Sequence, residues 1–278
     1  MKKGISQWAF PASMKLAECM KQAEEAGFEG IEVALAEEGE INLKSTKDDL
    51  EKIVASSKEI GIEITSLATG LFWDYSLTSD DLQVRDKAKG ILKKMLELAS
   101  YLDVNTVLVI PGAVDVFFKP DAGIVSYEVV YERAKKALLE AAETAEKYKV
   151  NIGVENVWNK FLLGPLEMKN FLDEIGSDYV GAYFDVGNAL RTGYPEQWIR
   201  ILGKRIKKVH FKDFNTDIGS FKSFVDLLEG NVNWPEVIKA FEEIDYSDYA
   251  IAELFPYRYH PEALIYNTSK SMDLILGR

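Results

Sequence analysis

Eight times along this chain a short apolar run gives way to a stretch of helical periodicity, and no linker interrupts the series. The apolar runs are KGISQW (3–8), GIEVAL (30–35), IEITSLA (62–68), NTVLVIP (105–111), VNIGVE (150–155), VGAYFD (180–185), IKKVHF (206–211) and DYAIAE (248–253). Amphipathic stretches lie between them. SMKLAECMKQAEEAG (13–27) has a serine at the cap position and a glycine at its stop, and TKDDLEKIVASSKEIG (46–61) also ends in glycine. Further helices are predicted over about 81–102, 126–148, 164–176, 194–203, 233–244 and about 261–276. Each step takes roughly 30 residues, the size of a βαβ unit. Runs such as TVLVI are apolar on both faces, as a buried parallel strand requires. Eight such steps in 278 residues predict a single-domain α/β fold, a (βα)8 TIM barrel spanning 1–278. The rival, a doubly wound open sheet, would want a glycine-rich phosphate turn, and neither GxGxxG nor GxxxxGK[ST] occurs.

Charge and cysteine usage narrow the class. The formal charge is −12, which disfavours a nucleic-acid surface because such a surface replaces counterions with basic side chains. The densest basic run, GKRIKK (203–208), precedes a strand and reads as a solvated turn. A single cysteine, Cys19, excludes an intrachain disulfide and fits a reducing compartment. No run approaches the roughly 20 apolar residues of a membrane span, and the N-terminal apolar stretch is too short for a signal peptide. The expectation is a cytoplasmic protein without membrane or nucleic-acid partners.

In a TIM barrel the C-terminal strand ends share one face, and active sites sit there. Glu155, Asp185, His210 and Glu253 end the fifth to eighth predicted strands. Singly, each has a plain structural reading: a strand-end glutamate is often a cap or surface group, Asp185 could cap a helix after VGN, and a lone histidine often belongs to a core. Together, on four consecutive strands, they predict one site. Three carboxylates at one point repel each other without a cation, so one divalent ion is expected. Mn²⁺ stands foremost, then Co²⁺ or Mg²⁺, while Zn²⁺ usually prefers more nitrogen or sulfur. Glu32, in GIEV on the second predicted strand, has two readings: it points into the same mouth or pairs with a buried lysine or arginine. The other histidine, His260, lies in YRYH without strand context.

The motifs VEN at Glu155, FDVGN at Asp185, VHFKD at His210, LLEGNVNW (227–234) and AEL at Glu253 resemble the xylose-isomerase-like barrel superfamily, in particular its L-xylulose-5-phosphate 3-epimerase branch, with tagatose and psicose 3-epimerases as more distant relatives. The resemblance covers essentially the whole chain. It implies one divalent metal on Glu155, Asp185, His210 and Glu253, with Glu155 and Glu253 also the proton-transfer pair. Free-ketose 3-epimerases usually carry a histidine three residues after the metal aspartate, where this chain has Asn188, and an arginine beyond the metal histidine, where the nearest cation is Lys212. Both departures weaken a free-ketose assignment.

The function so implied is a metal-dependent ketose or ketose-phosphate 3-epimerase. The alternative is an aldose–ketose isomerase of the hexulose-phosphate or hydroxypyruvate type, since both reactions pass through an enediol. An endonuclease IV-type enzyme needs a histidine-rich three-metal cluster, which two histidines cannot supply, and a non-catalytic sugar- or inositol-binding barrel would not need all four ligands. Trp8, Glu32, Trp158, Asn188, Lys212 and Arg258 are the candidate substrate contacts, with Trp158 and Phe161 read either as sugar-stacking walls or as rim core. A phosphorylated substrate would need cations, for which Lys212, Lys119, Arg191 and Arg258 are available. Long loops at 69–79, 112–125 and 215–232 are expected to wall the site. A homodimer or homotetramer is compatible with this reading.

Overall fold

A computed structural model describes residues 1–278, without the side chains of residues 120 and 221. Its strands are β1 (Lys2–Ser6), β2 (Gly30–Leu35), β3 (Glu63–Thr69), β4 (Thr106–Val109), β5 (Asn151–Glu155), β6 (Val180–Asp185), β7 (Ile206–Phe211), β8 (Asp213–Phe214), β9 (Phe224–Val225) and β10 (Tyr249–Ala252). Eight of them close into a barrel in the order β1-β10-β7-β6-β5-β4-β3-β2, every pairing parallel. The helices are α1 (Leu16–Glu25), α2 (Lys47–Ile60), α3 (Leu82–Tyr101), α4 (Tyr127–Tyr148), α5 (Pro165–Ile175), α6 (Val186–Leu190), α7 (Pro195–Leu202), α8 (Trp234–Glu243) and α9 (Pro261–Leu276).

Local chemistry accounts for the element ends. Thr46 and Asp49 exchange side-chain and backbone bonds as a capping box that opens α2, and Gly61 closes it at φ +91°. The serine predicted to cap the first helix does not do so. α1 starts at Leu16, and Glu18 reaches back to the Lys15 N–H at 3.4 Å. Between sheet and helices the packing is apolar: Ile91, Leu92, Met95, Leu96 and Leu98 of α3 are all at most 1% exposed, each stabilising the fold by about 1.5–3 kcal/mol.

The N-terminal end of the barrel is plugged. The Tyr249 ring lies across Gly30, where an added Cβ would come within 2.7 Å of it. Lys208 sits beside this ring with its ammonium 2.7 Å from Asp248. Lys208 is only 1% exposed, which corrects the reading of GKRIKK as a wholly solvated turn. Strand alternation turns Lys208 inward with His210 and Lys212.

Two features at the other end were not expected. β8 and β9 form a two-stranded antiparallel hairpin inside the 215–232 region and its flank. The short α6 follows β6 directly, with Asp185 as its N-cap.

Candidate active site

The register brings the four strand-end residues together. Asp185 of β6 is level with His210 of β7, and Glu155 of β5 is level with Tyr183, one inward-facing step below Asp185. Glu253 lies one residue beyond β10 rather than on it, held by its N–H to the Phe211 carbonyl at 3.1 Å. One ligand atom from each of Glu155, Asp185, His210 and Glu253 lies within 4.8 Å of all the others, and all four residues are buried.

Each residue is fixed from behind. Asp185 divides its carboxylate: Oδ1 accepts the Asn188 N–H at 2.7 Å and caps α6, leaving Oδ2 for the cluster. The Asn156 amide clamps the Asp185 backbone from both sides, donating to its carbonyl and accepting from its N–H, each at 2.8 Å. His210 turns Nε2 towards Glu32 Oε1 at 2.9 Å, and its Nδ1 lies 3.0 Å from Glu253 Oε2 and 3.8 Å from Glu155 Oε1. Glu32 Oε2 accepts hydrogen bonds from Ser66 Oγ, at 2.9 Å, and from the Tyr183 hydroxyl. Glu32 is thus fully buried behind the histidine. This corrects its place among the substrate contacts: it neither reaches the mouth nor pairs with a lysine or arginine.

Lys212 brings a positive charge into the cluster, 3.1 Å from Asp185 Oδ2 and 2.7 Å from Glu253 Oε2. Its effect on the carboxyls is uneven. Burial pushes Glu155 up to about 7, despite the nearby His210 ring. Burial opposes ionisation of Glu253 too, but Lys212 and His210 outweigh it and hold that carboxyl below the usual range. For His210, burial disfavours the charged ring, yet Glu32 and Glu253 raise its pKa well above the ordinary value.

The residues fit a divalent cation. Asp185 Oδ2, His210 Nδ1 and Glu253 Oε2 are buried and make no hydrogen bond of good geometry, with the Lys212 ammonium set beside the two carboxylate oxygens. In the protonation state that ligation requires, with His210 neutral and the carboxyls ionised, three carboxylates against one ammonium leave a formal charge of about −2, which a divalent ion neutralises.

Above the cluster opens a cavity of about 440 Å³. Glu155, Glu253, Lys212 and Asn188 provide its polar surface, and Trp8, Trp73, Phe117, Phe118, Trp158, Phe224 and Phe255 provide aromatic walls. Trp8, Trp158, Asn188 and Lys212, named from the sequence as candidate substrate contacts, all line this cavity. Arg258 does not: it is exposed, stacked at 5.5 Å over Tyr259, and absent from the described cavity lining. Phe161 is core, 1% exposed and packed on Tyr127 and Phe171. The walls Trp73, Phe117, Phe118, Phe224 and Phe255 went unnamed in the sequence, although the first four lie in the long loops it marked. Tyr183 and Ser66 were missed too, and Tyr183 was within reach, standing two residues before Asp185 on the same strand face.

The model of a family described as xylose isomerase-like TIM barrel matches residues 20–273. Among similar proteins, D-psicose 3-epimerase of Enterocloster bolteae is 25% identical over 242 residues, covering 85% of this chain and 75% of the relative. L-ribulose-5-phosphate 3-epimerase UlaE of Escherichia coli O157:H7 is 23% identical over 255 residues, covering 91% and 86%. A crystal structure of D-psicose 3-epimerase in the presence of D-fructose shares the fold, with a TM-score of 0.83 at 19% identity and 100% of both chains covered.

Proposed function

The chain belongs to the xylose isomerase-like TIM barrel family, and from that membership we propose that it is a divalent-metal-dependent 3-epimerase of ketoses or ketose phosphates. Its named relatives above are sugar epimerases, which are isomerases. The observation that carries the reading is the convergence of two glutamates, one aspartate and one imidazole at the floor of an aromatic-walled cavity.

Glu155, Asp185, His210 and Glu253 would hold the ion, and Mn²⁺ suits a set of three carboxylates and one imidazole. When bound, the cation supplies Lewis-acid stabilisation of negative charge developing on a carbonyl oxygen. The chain's own residues do the rest. Glu155 and Glu253 come from strands on different sides of the mouth, so a sugar seated between them has a carboxylate on either face. One removes the proton from the carbon beside the carbonyl, and the other returns a proton to the opposite face of the planar enediolate. Lys212 lies against Glu253 and favours its ionised, proton-accepting form. Trp8 and Trp158 wall the cavity with apolar rings that keep bulk water from the reacting carbon.

The test is exchange in D₂O. With Mn²⁺ and a panel of pentuloses, hexuloses and their phosphates, the protein is expected to introduce deuterium at C3 and produce the C3 epimer, read by NMR. Glu155→Gln and Glu253→Gln should each lower kcat by about 10²- to 10⁴-fold without unfolding the protein. Deuterium at C1 or C2 with aldose as product would replace the epimerase reading by the aldose–ketose one, and wild-type rates in both variants would refute the roles of the glutamates.

A further inference from the structure

The cavity above the cluster has a neighbour. A second cavity of about 490 Å³ adjoins it, and Trp158 and Asn188 line both. The cluster and proton-transfer pair belong to the first cavity, so the second has no part in the chemistry derived above.

Its lining is largely apolar, with Arg191 and Lys160 as its cations and Asp115 as its one carboxylate among the described residues. Lys160 is already neutralised by Asp115 at 2.6 Å. The Arg191 guanidinium is stacked 4.2 Å over the Trp158 ring, and among the described residues no carboxylate lies within ion-pairing distance of it. Stacking on an indole holds the planar fork in place while leaving its N–H edge available, a posture that suits bidentate capture of a phosphoryl group.

The other cations considered for such a role are committed elsewhere. Lys212 serves Asp185 and Glu253, Lys119 is paired with Asp74, and Arg258 is stacked on Tyr259 outside both described linings. A second observation points to a ligand crossing the seam. Asn188, 7% exposed, has an Nδ2 donor buried without a partner. The path is also the right size. From Asp185 to Arg191 the backbone runs along α6, about 9 Å at 1.5 Å per residue, and the arginine side chain can fold back over part of that span.

We propose that the second cavity is a phosphoryl subsite in which Arg191 holds the terminal phosphate of a ketose phosphate, while Asn188 donates to a sugar oxygen where the two cavities meet. The inference rests on the epimerase reading and deepens it, making phosphorylated ketoses the preferred substrate class. A phosphate dianion must also approach a chain of charge −12, so an unpaired guanidinium at the rim provides a local attraction against the long-range field.

The experiment compares pentulose 5-phosphates with the same unphosphorylated pentuloses, using the Mn²⁺-loaded wild type, Arg191→Ala and Arg191→Lys. In the wild type the KM for the phosphorylated sugar should be at least about 10-fold lower than for the free one. Arg191→Ala should raise it about 10- to 100-fold, a change much larger than any in the free-sugar KM. Arg191→Lys should fall between, since it keeps the charge and loses the fork. Inorganic phosphate should compete with the phosphorylated sugar in the wild type and lose that effect in Arg191→Ala. Equal KM values for both sugar classes, or an unchanged KM for the phosphorylated sugar in Arg191→Ala, would overturn the subsite and leave the epimerase reading intact. If no ketose exchanges hydrogen, a phosphorus NMR titration showing Arg191-dependent phosphate binding would support the subsite while removing the epimerase reading.

Discussion

A carboxylate with no access to solvent has to be satisfied from within, and Glu32 is satisfied three times, by His210, Ser66 and Tyr183. Its acceptance from Nε2 requires the proton on that nitrogen, so Nδ1, which faces Asp185, Glu155 and Glu253, is the nitrogen that would give up its proton to a metal. Such a partner fixes a metal-binding histidine in tautomer and orientation. Glu32→Gln would place an amide N–H among these donors and loosen the ring. Its Mn²⁺ affinity, measured by calorimetry, is expected to fall about 10- to 100-fold, and unchanged affinity would remove Glu32 from this role. The sequence displayed the four cluster residues because strand ends recur at a regular step. It did not display the part played by Glu32, because alternation states which face of a strand a residue takes and not which neighbour it meets there. The same limit applies to Phe161, whose loop position was equally compatible with wall and core.

At the scale of the element, the segment after β7 is organised by one side chain. Asp213 Oδ1 accepts from the Phe214 and Val232 N–H groups, and Oδ2 accepts from the Leu228 N–H and the Trp234 indole. Gly230 packs so closely that an added Cβ would come 2.1 Å from the same carboxylate. This hub ties the hairpin of β8 and β9, and with it the Phe224 wall, to the start of α8. Asp213→Ala would strand several buried donors. A loss of about 3 kcal/mol in chemical denaturation is expected, with hydrogen exchange accelerating across residues 214–233. Undiminished protection there would show that the segment is held by other means. The motifs VHFKD and LLEGNVNW contained both halves of the hub, but nothing in their spacing revealed that they touch. The hairpin escaped sequence reading for a simpler reason: two-residue strands are too short to show a period. α6, at five residues, has the same problem.

Over the whole molecule, eight repeated steps were enough to give the barrel, since closing the parallel sheet they build pairs every strand on both edges. The cluster sits where β5, β6, β7 and the end of β10 converge, so an ion held there would join four segments of the folded state that the unfolded chain does not bring together. Mn²⁺ at about 100 times its Kd should therefore add roughly 2.7 kcal/mol, a rise of about 5 °C in Tm for a chain of this size. Thermal scans with and without EDTA check this, and identical curves would argue against a bound ion in the native protein. The plug formed by Tyr249 and Lys208 has a consequence for traffic through the barrel. With the far end stopped, a sugar that comes in must back out through the same doorway. In the proposed reaction the two epimers would queue for one passage, and net conversion in either direction would depend on whichever neighbouring enzyme carries one of them away.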